Sequence, residues 1–120
     1  MLNNFAVNLT HSTDDPDRAT VAMVVANAAV ASGKQTIVFL SSEGVRLATK
    51  GIAEQINEEG FQPMTALVGN YLAAGGTVWV CSPCFKKRGL AEDKLIKNAI
   101  IVGGAKLVEA LSQGAACVSY

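Results

Sequence analysis

Two cysteines separated by two residues have the clearest chemical potential in this sequence. Cys81 and Cys84 lie in the stretch VWVCSPCFKKRGL, where β-branched and aromatic residues give way to a basic segment. Pro83 suits the first turn of a helix, so the pattern places Cys81 where a strand meets a helix N-terminus. Unpaired first-turn N–H groups and nearby basic side chains stabilise a thiolate, and we therefore expect the pKa of Cys81 to lie below its usual value of about 8.5.

The same cysteines also have less reactive interpretations. Free cysteine is among the most buried residue types, so Cys81 could be a small core residue. Cys84 could resolve a sulfenate or disulfide on Cys81, because C-x-x-C beside a βαβ pattern is typical of redox proteins, or it could pack inward. A bridge between them requires Cα atoms within about 7 Å of each other. Cys117 lies in an apolar final run and is predicted to be a core residue.

The sequence gives weaker evidence of a functional role for other polar residues and glycines than for the cysteines. His11 follows the first predicted strand and could act as a base or proton donor beside Cys81, although a histidine in such a turn often serves only as a solvated or capping residue. Glu43 is predicted to be a first-turn acid of the next helix. The basic run 86–88 is typical of a solvated helix face, or of a docking site for an acidic partner. The glycines of VGGAKL lack the full spacing of a phosphate-binding loop and are predicted to be turn and packing residues.

Composition limits the classes of function. A chain of 120 residues that is 50% hydrophobic predicts one domain, residues 1–120, with a single core. Ten basic and ten acidic side chains cancel, which gives no general attraction to nucleic acid. A structural zinc site needs about four ligands, and one C-x-x-C, a distant Cys117 and a single histidine supply them poorly. We expect no metal and no cofactor.

The sequence predicts no signal peptide, no transit peptide and no membrane span. The N-terminus lacks the pattern of a signal peptide, and Asp14 and Asp15 argue against an organellar transit peptide. The longest apolar run is shorter than the roughly 20 residues that span a bilayer. Three cysteines are an odd number for a disulfide framework. The expectation is a cytoplasmic protein with no membrane span.

Strands and helices alternate along the whole chain. The predicted strands are Asn4–Leu9, Gln35–Leu40, Thr77–Cys81, 99–104 and 115–120, and the predicted helices are 16–33, 45–57, 64–76, 83–90 and 105–114. This order predicts an α/β fold, a three-layer sandwich in which a five-stranded, mostly parallel sheet is flanked by helices on both faces. The first helix is apolar on all its faces, so we expect it to need cover from a second subunit.

In such a sheet, the carboxyl ends of the parallel strands meet at one edge, where open α/β sheets bind their ligands. His11, Ser41, Ser42 and Glu43 follow predicted strands and Cys81 ends one, so the edge collects the candidate residues.

Four stretches make the chain resemble the DsrE/DsrF-like (DsrEFH) family of intracellular sulfur-metabolism proteins, often labelled predicted peroxiredoxins. They are VNLTHSTDDPDRATVAMVVANAAVASGK, FLSSEGVRLA, VWVCSPCFKKRGL and IVGGAKLVEAL, and they extend over nearly the whole chain. The third of these stretches is the most specific.

The resemblance implies a function for the first cysteine. In sulfur-relay members, a cysteine at the end of the third strand carries sulfur as a persulfide and passes it to the next cysteine protein. Cys81 occupies that position, in a C…RG frame that ends at Gly89. Cys84 has no counterpart in that pattern, where a small residue stands. The resemblance further implies sulfur donor and acceptor proteins as partners, and a homo-oligomer, either a trimer or a hexamer.

The sequence analysis therefore predicts a sulfur carrier, similar to sulfurtransferases, with a persulfide on Cys81. Two alternatives stay open. One is a thiol–disulfide or peroxide redox protein in which Cys81 attacks and Cys84 resolves. The other is a non-enzymatic oligomeric module that binds a ligand or a protein at the sheet edge.

Overall fold

The computed structural model describes residues 4–120. Its five strands are β1 (Asn4–Leu9), β2 (Gln35–Leu40), β3 (Thr77–Cys81), β4 (Ala99–Val102) and β5 (Ala116–Ser119). They form one sheet in the order β4-β3-β2-β1-β5, and every pair of neighbours is parallel. The predicted α/β class, with a parallel five-stranded sheet, is confirmed.

Four α-helices connect the strands together with short 3₁₀ segments. The helices are α1 (Pro16–Ala31), α2 (Met64–Ala73), α3 (Ser82–Lys87) and α4 (Gly104–Ser112), and the 3₁₀ segments are Ser42–Ala48, Ala53–Gln55 and Glu92–Lys94. The start of α1 follows the predicted signals, since the Asp15 side chain accepts a hydrogen bond from the backbone N–H of Arg18 and Pro16 occupies the first turn. No helix within the described part of the chain is long and apolar enough to cross a membrane.

The two faces of the sheet are covered unequally. Val38 and Val78 are neighbours in register and lie beside Met23 of α1, on the face that α1 and α2 cover. Trp79 points to the opposite face because side chains alternate along a strand, and Lys106 of α4 lies with its Nζ 5.8 Å from the centre of the Trp79 ring. A single helix of nine residues thus covers the second face.

This unequal cover corrects one prediction. Cys117 is exposed instead of lying in the core, because β5 is an edge strand and Cys117 is on the less covered face. Val24 of helix α1 is 37% exposed, so this apolar helix is not fully covered within one chain, and its cover by a second subunit stays a prediction. Among the large apolar side chains of residues 4–120, the highest exposed fractions are in the β4 and α4 region, where Ile100 is 54% exposed and Val108 is 63% exposed.

The predicted helix over residues 45–57 is wrong. The chain forms two 3₁₀ segments there, and they are joined by a turn at Gly51, where φ is +93°. Gly44 sits so close to the end of β1 that a Cβ atom on it would be 2.1 Å from the carbonyl oxygen of Leu9. This segment packs closely against the end of β1 and does not form the predicted amphipathic helix. Val45 is fully buried in that contact.

At the amino end of β3, a buried tyrosine fixes α2 to the sheet. The single hydrogen of the Tyr71 hydroxyl is shared between the carbonyl oxygens of Thr36 at 2.9 Å and Thr77 at 2.7 Å. Gly76 lies against the tyrosine ring, where a Cβ atom would come within 2.3 Å of a ring carbon. Burial raises the pKa of Tyr71, so the hydroxyl stays protonated and remains a donor.

Candidate cysteine site

Cys81 ends β3 and is the N-cap residue of α3, which we call the cysteine helix. It pairs in register with Val102 of β4. The chain leaving β3 passes over the α1 face, where Ile96 packs near Met23, whereas the chain leaving β4 enters α4 on the other face. Such a divergence of neighbouring connections is the place where open α/β sheets bind ligands.

The Cys81 thiol is buried, with the residue only 8% exposed. This burial raises the pKa of Cys81, and the hydrogen bond of its thiol to the Cys84 sulfur adds to the rise. The Cys84 backbone N–H and the Arg88 charge act in the opposite direction without outweighing these effects. The predicted lowering of the Cys81 pKa is therefore wrong. The physical reason is that the helix start does not compensate for the loss of hydration, and Cys81 makes no side-chain capping hydrogen bond.

The pKa of Cys84 shifts in the opposite direction, downward. It is half-buried, and burial by itself raises the pKa of Cys84. The Cys81 thiol, the Ser42 backbone N–H and the charges of Arg88 and Lys87 outweigh that effect and lower the pKa of Cys84 below its usual value. The more accessible cysteine is thus also the one that is more readily a thiolate.

The Ser42 backbone N–H, which helps to lower the pKa of Cys84, belongs to the loop after β2. Ser42 is a non-glycine residue with φ at +50°, in the left-handed region that side chains disfavour, and such strain is often found at functional sites. The loop is held on β1 by the Ser41 N–H, which donates to the Leu9 carbonyl at 3.0 Å, and by the close approach of Gly44. The Ser42 backbone is therefore fixed against the end of β1.

A carboxylate links this loop to the cysteine helix. Glu43 Oε2 accepts a hydrogen bond from Arg88 Nε at 2.6 Å, and Oε1 accepts one from Arg46 Nε at 2.7 Å. Arg88 also donates from a terminal guanidinium nitrogen to the Cys84 carbonyl at 3.1 Å. The two arginines hold the pKa of Glu43 below its usual value. We call the bonds of Arg88 to Glu43 and Cys84 the Glu43–Arg88 clamp.

The basic run divides into two parts. Lys86 and Lys87 are exposed, whereas the Arg88 side chain is only 15% exposed and is occupied by the clamp. Arg88 is thus not free to dock an acidic partner, which leaves the two lysines for that predicted role.

His11 lies at the same edge of the sheet but belongs to a separate group. Its Nδ1 is 2.7 Å from Asp14 Oδ2, and the other oxygen of that carboxylate accepts a hydrogen bond from the Ser12 N–H at 2.7 Å. Strand β2 lies between the strands that precede His11 and Cys81. The hydrogen bonds found in residues 4–120 do not join His11 to either cysteine, so its role as their acid or base stays a prediction.

Two other features of the described chain lie away from the cysteines. A groove of about 380 Å³ opens at the amino edge of the sheet, lined in part by Asn4, Gln35 and Trp79. Gly103, the N-cap of α4, lies at the predicted turn, but it has open space where a Cβ would be, so the packing role predicted for this glycine is wrong. No three histidine, cysteine or acidic side chains within the described range group as metal ligands.

Sequence reasoning missed the roles of Ser42, Glu43 and Arg88. A signal for the last two was present, since an acid after the second strand and a base in the helix after the third strand belong to neighbouring loops of one sheet edge. The Ser42 amide left no signal, because any residue has an N–H group and its direction depends on the backbone path.

Comparisons with known proteins agree with this architecture. The model of the DsrE/DsrF-like family matches residues 3–120. The uncharacterized protein MJ0989 of Methanocaldococcus jannaschii is 36% identical over 95 residues, which is 79% of this chain and 80% of that protein. The uncharacterized protein MJ0760 of the same organism is 27% identical over 91% of this chain, and the chain spans only 39% of its length.

Solved structures show the same fold. The ychN protein of E. coli superposes with a TM-score of 0.81 at 19% identity, covering all of both chains. MTH1491 of Methanobacterium thermoautotrophicum, described as a protein of unknown function, gives a TM-score of 0.71 at 15% identity and covers 98% of each chain.

Proposed function

This chain belongs to the DsrE/DsrF-like family, and on that premise we propose that it is a sulfur carrier that takes up sulfane sulfur through Cys84 and holds it as a persulfide on Cys81. The observation that carries the proposal is the placement of two cysteines one helical turn apart, in unequal surroundings, at the carboxyl end of β3. One thiol is accessible and favours the thiolate, and the other is buried and favours the protonated form.

The first step is uptake from a donor persulfide. The Cys84 thiolate attacks the outer sulfur of the donor, the donor's S–S bond breaks, and the donor leaves as a thiolate. Cys84 then carries the –S–SH group. Because one thiolate is consumed and one is released, no oxidant is required.

The second step is internal transfer. The Cys81 sulfur attacks the outer sulfur of the Cys84 persulfide while its proton passes to the Cys84 sulfur, so that Cys81 becomes the persulfide and Cys84 is again a thiol. Burial of Cys81 supports this role, since a persulfide with little solvent contact is protected from stray thiols. An acceptor thiolate would later remove the sulfur.

The spacing of the two cysteines, one helical turn apart, also favours a second candidate, a dithiol redox protein. If Cys81 attacks the inner sulfur of the Cys84 persulfide, the products are a Cys81–Cys84 disulfide and hydrogen sulfide. Atoms and electrons balance in this route as well, because a persulfide and a disulfide have the same oxidation level. The two routes therefore differ only in which sulfur Cys81 attacks.

Mass spectrometry after incubation with a small persulfide donor tests the proposal. The parent should gain one sulfur, about 32 Da, and fragmentation should place it on Cys81. Cys84→Ser should load much more slowly, whereas Cys81→Ser should retain the sulfur on Cys84 and lose it faster to an added thiol. Cys117→Ser is the matched control and should behave like the parent.

Other outcomes contradict the proposal in distinguishable ways. A loss of about two mass units, abolished by either Cys81→Ser or Cys84→Ser, would establish the dithiol route. No modification of any variant would instead favour the binding module that the sequence left open.

Self-association and protein partners are part of the same proposal. The exposed Ile100 and Val108 support an oligomer, because apolar side chains of this size gain stability when a second copy covers them. Sulfur donor and acceptor proteins would meet the edge of the sheet beside Lys86 and Lys87. Light scattering in solution should give the mass of a trimer or hexamer, and a monomeric mass would contradict the oligomer.

A further inference from the structure

We propose that the Glu43–Arg88 clamp is a positioning device that holds the loop after β2 against the cysteine helix, so that the Ser42 amide faces the Cys84 sulfur. The inference rests on the proposed function only in that Cys84 is the thiol that reacts first. Glu43 and Arg88 are thereby positioning residues, since neither has to touch the sulfur that is transferred.

The first support is the way in which the clamp connects two elements. Glu43 is adjacent to Ser42 in the chain, and its carboxylate bonds Arg88 at 2.6 Å on the cysteine helix. The same guanidinium donates to the Cys84 carbonyl, one helical turn before Arg88. Only a planar group with several donors can make both bonds together, and lysine lacks that geometry.

The second support is that the loop after β2 is also held against the end of β1. Ser41 and Gly44 are fixed on the end of β1, where no room is left for even a Cβ atom at Gly44. The left-handed backbone of Ser42 is therefore held from both sides, by β1 and by the clamp. A strained conformation persists only where its surroundings determine it in this way.

The charges around Cys84 make the test decisive. The groups that face its sulfur are Cys81 from β3, Lys87 and Arg88 from its own helix, and the Ser42 amide from the 3₁₀ segment; Glu43 and Arg46 lie behind Arg88. If Glu43 acted only through its charge, removing that negative charge would make the thiolate more favourable. If Glu43 acts by positioning, removing it makes the thiolate less favourable. The two explanations predict opposite signs.

The experiment measures the rate of iodoacetamide alkylation at Cys84, read by peptide mass, between pH 5 and 10. Glu43→Gln and Arg88→Lys should each move the midpoint of the profile upward, with reactivity near neutral pH falling about three- to tenfold, because each whole pKa unit changes the thiolate-to-thiol ratio tenfold. Arg46→Gln is the matched control, since Arg46 bonds Glu43 but does not reach the cysteine helix, and its profile should stay close to that of the parent.

Two further controls keep the inference falsifiable. Ser42→Gly retains the amide and suits the left-handed backbone, so it should leave the midpoint in place even if the clamp variants lose stability. Thermal unfolding of every variant establishes that the profile is measured on folded protein. A lower midpoint in Glu43→Gln, or an unchanged profile in Arg88→Lys, would overturn the inference. Because alkylation needs no sulfur donor, this result is independent of whether the parent carries sulfur.

Discussion

The two ends of β3 are built from different kinds of interaction. At the amino end, Tyr71 is fully buried and its hydroxyl makes two hydrogen bonds to backbone carbonyls. At the carboxyl end, the Cys81–Cys84 pair lies among charged groups that are partly exposed, including a Glu43 side chain with 36% exposure. Neutral, buried bonds are suited to stability, whereas partly hydrated charges can change the pKa of a neighbouring thiol.

Stabilising contacts and reactive groups therefore lie at opposite ends of the same strand. The free energy of unfolding should depend mainly on the amino end, and the chemistry of the thiols should depend mainly on the carboxyl end. Residues that provide reactivity are commonly not those that provide stability, because a reactive group must stay accessible and unsatisfied. Substitutions at the two ends test this separation directly.

The largest effect on stability is expected for Gly76→Ala. The new methyl group would overlap the Tyr71 ring, which is held by its hydrogen bonds and cannot move aside, so the free energy of unfolding should fall by about 2 kcal/mol. Urea unfolding measures the change as a shift in midpoint with an unchanged slope. Gly69→Ala is the control, since Gly69 lies in α2 with open space around it and the substitution should stabilise the protein by up to about 1 kcal/mol.

The reactivity of Cys84 in Gly76→Ala tests whether the two ends of β3 are independent. Cys84 alkylation in Gly76→Ala should equal that of the parent under conditions where both are folded. A marked loss of Cys84 reactivity in this variant would mean that the two ends of β3 are coupled.

A smaller loss is expected for Tyr71→Phe. This change removes the hydroxyl donor and leaves the Thr36 and Thr77 carbonyls without that partner, which should lower the free energy of unfolding by about 1 kcal/mol. The ring still fills its space, so no cavity forms. The same urea titration provides the measurement, and a variant as stable as the parent would show that these hydrogen bonds contribute nothing net.

The smallest effect on stability is expected from Glu43→Gln. The folded-state pKa of Glu43 lies below its usual value of 4.5, so the carboxylate contributes stability above that pH and loses it as the pH falls through the folded pKa. Because solvent screens a side chain that is 36% exposed, we expect a contribution of less than about 1 kcal/mol.

Unfolding curves of the parent and Glu43→Gln at pH 6 and pH 3 provide the test. The difference between them should be greatest at pH 6 and should shrink at pH 3. A difference that grows on acidification would contradict the assigned direction of the Glu43 pKa.

Most of the fold could be predicted from local patterns in the amino-acid sequence. The apolar runs at Asn4–Leu9, Gln35–Leu40 and Thr77–Cys81 predicted the first three strands with the bounds that the structure has, and their alternation with helices predicted a parallel sheet. The position of Cys81, where a strand meets a helix, was also predicted correctly. These features follow from local hydrophobic pattern and turn chemistry, which any short window of the sequence contains.

The directions of the two cysteine pKa shifts came instead from contacts between distant parts of the chain. Burial raises the pKa of Cys81 and acts in the same direction on Cys84, but the Cys81 thiol, the Ser42 backbone N–H from the loop after β2 and nearby positive charges outweigh burial at Cys84. The segment after β2 forms 3₁₀ turns and not the predicted helix, because Gly44 packs against Leu9 at the end of β1, a residue that is distant in the chain. Cys117 became exposed because its strand forms the edge of the sheet. Each of these outcomes depends on atoms that are remote in the chain, and a local pattern carries no information about them.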